Sequence, residues 1–341
     1  MVFSNISKSQ NYFMKETIGV TGASGHLGFK LCQTLVDKGY LVKGLFFQTL
    51  PPLDLKRAVW VQGDILKAAV VRDFVLGCDH IIHCAARISI TGDEDGLVWK
   101  TNVTGVQNVV NACLEHRVQR LIHVSSTHAV QEAPASHPFM ESRPYKELND
   151  FTYDHSKAVG EQLVLKHVAE NQLDAVVVRP SGILGAPDYR PSLLGKAIID
   201  MYKGKIPVLP QGGYNYVDIG SVVNSIVSCI KNGVNGEVYL VTGQYYTMKE
   251  FAKVLGDVTG KRMPTVVLPT WFLIGILPLV KLWSLIAKQP SSFTYESILT
   301  LKNGHTDIRC DKAVRTLGHE PQPLSDTMGK LVKWFQKEKF I

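Results

Sequence analysis

Between residues 17 and 47 an apolar run, TIGV, breaks into the glycine turn TGASGHLG. A helical pattern with Leu27, Leu31 and Leu35 on one face follows, then a second apolar run, YLVKGLFF. A strand that turns on glycine into a helix and then a strand commits the chain to a parallel pair, because parallel neighbours need a crossover of that length. Further apolar runs bounded by turn residues recur at AVWVQGD, HIIHCAA, RLIHVSS and DAVVVRP. Helical stretches such as Gly105 to Leu114 and Ser156 to Val168 stand between them. Strands buried on both faces read as continuous apolar runs, so the expected fold class is α/β, a doubly wound parallel sheet of the Rossmann type.

After Arg179 and Pro180 the rhythm changes to the Pro- and Gly-rich PSGILGAPDYRPSLLG, where a smaller substrate lobe is expected to begin. A strand pattern at Glu237 to Val241 suggests a return to the sheet, which makes the two parts interleaved. The division read from the sequence is a dinucleotide-binding domain over 14–180, with the sheet return near 214–243. The substrate-binding lobe takes 181–213 and 244–341.

The glycines of Thr21-Gly22-Ala23-Ser24-Gly25-His26-Leu27-Gly28 have separate tasks. Gly22 permits the tight turn, Gly25 lets backbone approach a pyrophosphate, and Gly28 allows the helix to pack closely on the sheet. The phosphate charge then meets the helix N-terminus. The spacing is GxxGxxG rather than GxGxxG, and the strand before it and helix after it give it weight over a simple turn. At the end of the second strand, where an acid would select NAD or an arginine NADP, stand Phe46, Phe47 and Gln48. Cofactor choice stays open between NAD and NADP, with a lean to NADP because nothing there repels its 2′-phosphate. Lys43 nearby reads as a solvated charge. Asp64, in Gly63-Asp64-Ile65, is either an acceptor for the adenine amino group or a helix N-cap.

Tyr153-Asp154-His155-Ser156-Lys157 opens a helical stretch, and a spacing of four puts Tyr153 and Lys157 on one face. A free phenol ionises near pH 10, and a neighbouring ammonium favours the phenolate. Lys157 could also hold ribose hydroxyls. YxxxK alone is a weak pattern, strengthened here by Ser125, Ser126 and Thr127 at the C-terminal end of a strand, where such sheets bind ligands. Ser126 could donate to a carbonyl oxygen of the substrate, with Thr127 as the alternative. The competing reading of these hydroxyls is a cap or turn.

With these features in order, the sequence resembles the extended short-chain dehydrogenase/reductase family, of NAD-dependent epimerase/dehydratase type. The matching pieces are TGASGHLG, GDI, HCAA, TNVTG, VSS, YDHSK, VVVRPSGILG and YVDIGSVV. The segment GGYNYVDIGSVV and the ending DKAVRTLGHEPQPLSDTMGKLVKWF look most like the dihydroflavonol reductase and 3β-hydroxysteroid dehydrogenase branch, whose members act on apolar alcohols or ketones. The resemblance implies catalysis by Ser126, Tyr153 and Lys157. It places Gly22, Ser24, Gly25, His26, Leu27, Gly28, Phe47, Asp64, Ile65, Ala85, Ala86 and Pro180 around the cofactor, Ala85 and Ala86 as its floor, with Tyr153 and Lys157 touching it too. Asn102 is placed like the family's sheet-bracing asparagine. Nucleotide-sugar relatives usually carry an arginine just before the equivalent of YVD, where this chain has Tyr214 and Asn215. Sugar dehydratases place Asp-Glu after the catalytic hydroxyl, where His128 and Ala129 stand. The expected activity is hydride transfer between nicotinamide and a small apolar alcohol or ketone. The rivals are a nucleotide-sugar epimerase and a dinucleotide-binding sensor without turnover.

Other features narrow the partners. The net charge of +7 comes from scattered Lys and Arg with no basic run beside aromatic residues, so no nucleic-acid partner is expected. Six spread cysteines without a CxxC pair read as reduced, and the first residues lack a signal or transit pattern, so a cytoplasmic protein is expected. The sequons at Asn5 and Asn102 carry little weight in that setting. Cys78-Asp79-His80-Ile81-Ile82-His83-Cys84 suggests a metal cluster, but alternation along a strand turns His83 away from 80, 82 and 84, and no metal is expected. The most apolar stretch begins at Val266; interrupted by Pro269, Pro278 and Lys281, it reads as a pocket wall or as a peripheral membrane contact over 266–287. The oligomeric state is not legible in the sequence; the resemblance leaves room for a homodimer through helices beside the active site.

Overall fold

The computed structural model describes residues 16–52, 55–287 and 294–341; the N-terminal segment with Asn5, and the start of the 14–180 domain, lie outside the described residues. The first half alternates strand and helix: β1 (Thr17–Thr21), α1 (His26–Asp37), β2 (Leu41–Phe46), β3 (Ala58–Gln62), α2 (Ala68–Val75), β4 (His80–His83), α3 (Leu97–Trp99), α4 (Gly105–Glu115), β5 (Arg120–Val124), α5 (Thr152–Ala169) and β6 (Ala175–Pro180). The second half runs β7 (Gly182–Leu184), α6 (Leu193–Tyr202), β8 (Leu209–Pro210), β9 (Gly213–Asp218), α7 (Ile219–Asn232), β10 (Val238–Val241), β11 (Gln244–Thr247), α8 (Met248–Thr259), β12 (Val267–Leu268), α9 (Thr270–Ala287), α10 (Tyr295–Asn303), α11 (Asp311–Leu317) and α12 (Leu324–Lys337).

Seven strands form one sheet in the order β3-β2-β1-β4-β5-β6-β10, and every pairing is parallel. The apolar runs explain why. Ile18, Val20, Ile82, Ile122, Val176 and Val178 bury one face beneath α1 and α7, while Ile81, Leu121, Ala175 and Val177 bury the other against α2 and α4. Strand order reverses direction between β1 and β4, and ligands of such sheets bind at that point, outside the carboxyl ends of the strands.

β10 pairs with β6 after the chain has already built β7 and β9, so it leaves the main sheet and comes back. Outside that sheet, β9 pairs in parallel with β7 and antiparallel with β11. Around them Tyr216, Phe251, Leu255, Leu331 and Phe335 make a separate core with α8 and α12. One element was not legible in the sequence: between α3 and α4 the backbone loosens into a π-helical turn over Lys100–Thr104, with Asn102 buried inside it. Such turns are frequent at functional sites.

Candidate active site

At the switch point, the turn after β1 has no room for side chains. Gly22 has φ +69°, and a Cβ there would lie 2.8 Å from the Ala85 nitrogen. A Cβ on Gly28 would meet the Gly22 carbonyl oxygen at 2.2 Å. A Cβ on Gly25 would press the same oxygen at 3.2 Å. The floor is tied by Thr21, whose hydroxyl meets His83 Nδ1 at 2.7 Å and accepts from the Ala85 nitrogen at 3.2 Å. α1 starts from Gly25 with no side-chain cap and no acid in its first turn, so its N-terminal dipole faces the cleft without a local anion. Close backbone and an uncapped helix end fit a dinucleotide pyrophosphate, which Gly22, Gly25 and residues 26–28 would hold.

The other residues expected around the cofactor are placed as follows. Ser24 is half-buried in the turn, and Leu27 packs half-buried against the core. The His26 ring latches the start of α1 to the Gly185 carbonyl oxygen at 2.8 Å. Phe47 is exposed beyond β2. Asp64 does not cap α2, whose N-cap is Lys67; its carboxylate accepts from the Leu66 nitrogen at 2.9 Å in a local turn. Ile65 is buried, Ala85 and Ala86 follow β4, and Pro180 is buried at the end of β6. Lys43 is not a purely solvated charge, because its ammonium donates to the Asp73 and Leu76 carbonyls at 3.1 and 3.3 Å and steadies the end of α2.

Tyr153 and Lys157 lie in the first turns of α5, beneath the edge of β5. The Lys157 ammonium donates to the Val124 carbonyl oxygen at 2.8 Å, and burial pulls its pKa down to about 8. Burial raises the Tyr153 phenol, Asp154 raises it further, and a hydrogen bond with Ser126 works in the opposite direction. The expected easing of the phenol by the ammonium is therefore not the arrangement found. Lys157 is directed to the strand backbone, and Ser126 favours the phenolate. Ser126 also caps the short turn Thr127–Ala129, accepting from the His128 nitrogen at 3.1 Å, so the capping and catalytic readings of this hydroxyl coexist. Asn102 fixes the start of α5 by donating to Ser156 Oγ at 2.9 Å, and Ser156 donates to the Tyr153 carbonyl at 2.7 Å. Its amide also exchanges two hydrogen bonds with the Arg87 backbone, so it braces the loop after β4 against α5.

Beneath Lys157, His83 and His123 stack with ring centroids 5.5 Å apart, and burial followed by the Lys157 charge lowers both imidazoles. Neutral rings beside a buried ammonium add no further cation to the sheet.

Sequence reasoning missed His128 as a functional group, having used it only as the absence of an acid. Its Nε2 lies 2.6 Å from the Tyr214 hydroxyl and its Nδ1 3.1 Å from Asp154, a charge contact rather than an aligned hydrogen bond. The ring meets Tyr153 edge-on at 5.9 Å and stacks on Tyr214 at 5.7 Å. Burial opposes the charged imidazole, but Asp154 and, behind it, Glu132 outweigh that and raise its pKa. His128, Glu132 and Asp154 bring ligand-type atoms within 4.8 Å of one another. The Lys146 ammonium already contacts Glu132 at 2.5 Å and Asp154 at 3.9 Å, so a cation of the chain itself neutralises that cluster. The available signal was a histidine two residues after Ser126 and an acid directly after Tyr153. Only the fold brings in Tyr214, 86 residues away.

A half-buried phenol near a strand-end hydroxyl, at the same end of the sheet as a close-packed glycine turn, is one of several arrangements a parallel sheet can carry. What decides among them is that residues 18–242 match the model of the NAD dependent epimerase/dehydratase family. The chain belongs to that family. It is 29% identical over 333 residues to sterol demethylase protein B of Methylococcus capsulatus, covering 94% of this chain and 99% of that protein. It is 25% identical over 346 residues to a putative dihydroflavonol 4-reductase of Synechocystis, covering 96% and 97%. It is also 29% identical over 268 residues to a 3β-hydroxysteroid dehydrogenase/Δ5→4-isomerase of Mycobacterium tuberculosis, covering 72% and 70%. Among solved structures, gox2253 superposes with a TM-score of 0.82 at 25% identity over 96% of this chain and all of that one. UDP-glucose 4-epimerase of Thermotoga maritima reaches 0.75 at 20% identity over 95% and 99%, a likeness of fold. These relatives agree with the resemblance to the reductase and hydroxysteroid dehydrogenase branch.

Proposed function

We propose that the protein is an NAD(P)-dependent oxidoreductase that moves a hydride between the nicotinamide and an apolar secondary alcohol or ketone, steroid-like or flavonoid-like in shape. The observation that carries this reading is the placement of Ser126 at the carboxyl end of β5 with Tyr153 and Lys157 on the first turns of α5, Lys157 tied to the Val124 carbonyl oxygen, while the close-packed Gly22–Gly28 turn stands at the carboxyl end of β1 in the same parallel sheet. The bound dinucleotide supplies or accepts the hydride. Tyr153 exchanges the proton of the carbinol oxygen, and Ser126 orients that oxygen and shares its charge. Lys157 places a positive charge below the pair, and Asn102 holds the α5 start so that both side chains keep their positions.

The apolar substrate class is supported by relatives named for sterol, dihydroflavonol and hydroxysteroid chemistry. Epimerisation of a nucleotide sugar is the second reading, favoured by the family's range. Two positions speak against it. Tyr214 is engaged by His128, and the buried Asn215 amide is spent on Ser181 and Gly243, so neither offers a cation to a sugar diphosphate. The cofactor is read as NADP in preference to NAD because no carboxylate follows β2, where Phe47 and Gln48 stand exposed.

Tyr153→Phe tests the reading. Dinucleotide binding, followed by fluorescence titration, is expected to persist while turnover of apolar ketones falls at least about a hundredfold. Unimpaired turnover removes Tyr153 from the mechanism. Thermal shifts separate the substrate classes, since apolar ketones and not nucleotide sugars should stabilise the dinucleotide-bound protein.

A further inference from the structure

The end of β2 holds neither the acid nor the arginine that would settle the cofactor, and Lys43, the nearest cation in sequence, is engaged at the end of α2. A guanidinium reaches that edge from elsewhere. The loop between β7 and α6 crosses the start of α1: its first residue, Gly185, is latched by the His26 ring at 2.8 Å, and Tyr189 sets its ring edge-on to Phe29 of α1 at 5.7 Å. Tyr189 also meets Trp334 of α12 edge-on at 5.1 Å. The next residue, Arg190, is exposed and brings its guanidinium to 3.5 Å from the carbonyl oxygen of Thr49, just past β2. Glycine turn and strand end form one rim, since the Ala23 nitrogen donates to the Leu45 carbonyl at 3.0 Å. A dinucleotide with its pyrophosphate on that turn carries its adenine ribose to the end of β2. The Thr49 contact is long for a hydrogen bond, and it is the only one the Arg190 side chain makes among the described residues, where it meets no carboxylate either. Most of its donors are unspent.

We propose that Arg190 selects the cofactor: its guanidinium takes the 2′-phosphate of NADP, a cation supplied by the second half of the chain in place of the one that β2 lacks. A phosphate monoester presents several charged oxygens to the guanidinium fork, the pairing in which arginine is strongest. Residues 47–52, Phe-Gln-Thr-Leu-Pro-Pro, set no acid against that charge. NAD has only a hydroxyl at the same place and gains little from the cation. The ring contacts of Tyr189 with α1 and α12 fix the backbone from which Arg190 projects, while its exposed side chain keeps the freedom to turn from the Thr49 carbonyl onto a phosphate. This inference rests on the oxidoreductase reading, because without a bound dinucleotide there is no 2′-phosphate to hold.

Calorimetric titration of the full chain with NADPH, NADH and the fragment 2′,5′-ADP tests the proposal. The parent should bind NADPH at least about tenfold more tightly than NADH, with a gap that narrows as salt rises. R190A should weaken NADPH and 2′,5′-ADP at least about tenfold and NADH less than about twofold, and R190E should weaken NADPH further. Thermal unfolding of the unliganded variants should match the parent, since Arg190 is exposed. Equal losses of NADPH and NADH in R190A would mean that Arg190 only steadies the loop, and no loss would mean that the phosphate is held elsewhere. Either result, or a parent that prefers NADH, overturns the proposal and leaves the oxidoreductase reading standing. Binding of neither dinucleotide overturns both.

Discussion

His128 is held from two sides, by Asp154 on α5 and by Tyr214 on β9, and this clamp decides its charge. Because its folded-state pKa is raised above 6.5, the stability it contributes is fully present below that pH and is lost as pH rises through the raised value. His128→Gln should therefore cost most stability near pH 6, with the gap to the parent narrowing in alkaline solution; urea unfolding across that range reads it. Lys157 has the opposite sign. Its pKa falls from 10.5 to about 8 on burial, so the folded state resists a proton that the unfolded chain accepts. Lys157→Met should raise stability at pH 7 by about 3 kcal/mol, with a gain that fades between pH 8 and 10.5, while turnover is lost. Tyr153 and Lys157 were legible from their spacing of four. Their coupling was not, because the direction of a lysine head depends on which carbonyl lies within reach, here that of Val124.

At the scale of elements, the site depends on how α5 and α1 are anchored. Glu161 of α5 and Arg179 of β6 are both fully buried and share several hydrogen bonds, with the Tyr145 hydroxyl donating to the same carboxylate at 2.9 Å. Removing one partner strands a buried charge, so Glu161→Ala should destabilise the protein by about 3–5 kcal/mol in denaturant unfolding. The anchor could not be read in the sequence, since an acid inside α5 and an arginine at a strand end look like surface charges until the chain is folded. The tightness of the glycine turn was legible in the spacing of Gly22 and Gly28, whereas its closure against Ala85 and His83 after β4 comes only with the fold. Gly28→Ala must push a methyl group into the Gly22 carbonyl oxygen, and neither backbone can yield. Dinucleotide affinity measured by titration should fall together with the thermal midpoint. Asn102 was legible by position only; the π-helical turn that aims it is set by partners at Arg87 and Ser156.

Taken whole, the chain is a parallel sheet with a crevice at its switch point and a lobe that departs from the sheet after β6 and again after β10. Apolar runs and glycine punctuation were enough to foresee the sheet, because strands buried on both faces leave a continuous signature. The stretch after Val266 forms β12 and α9. α9 packs on α10, and α10 meets the start of α5 through Tyr295 against Phe151. Long apolar runs do not reveal which neighbour they will meet. The central claim is that hydride passes between nicotinamide and an apolar carbinol carbon at the carboxyl edge of the sheet, with Tyr153 exchanging the proton. Its most direct test is deuterium transfer from C4-deuterated NADPH or NADH to a steroidal or flavonoid ketone, followed by mass spectrometry of the alcohol formed. The account predicts one deuterium on the carbinol carbon with the parent protein and none with Tyr153→Phe; an alcohol without deuterium, or equal transfer by both proteins, would contradict it.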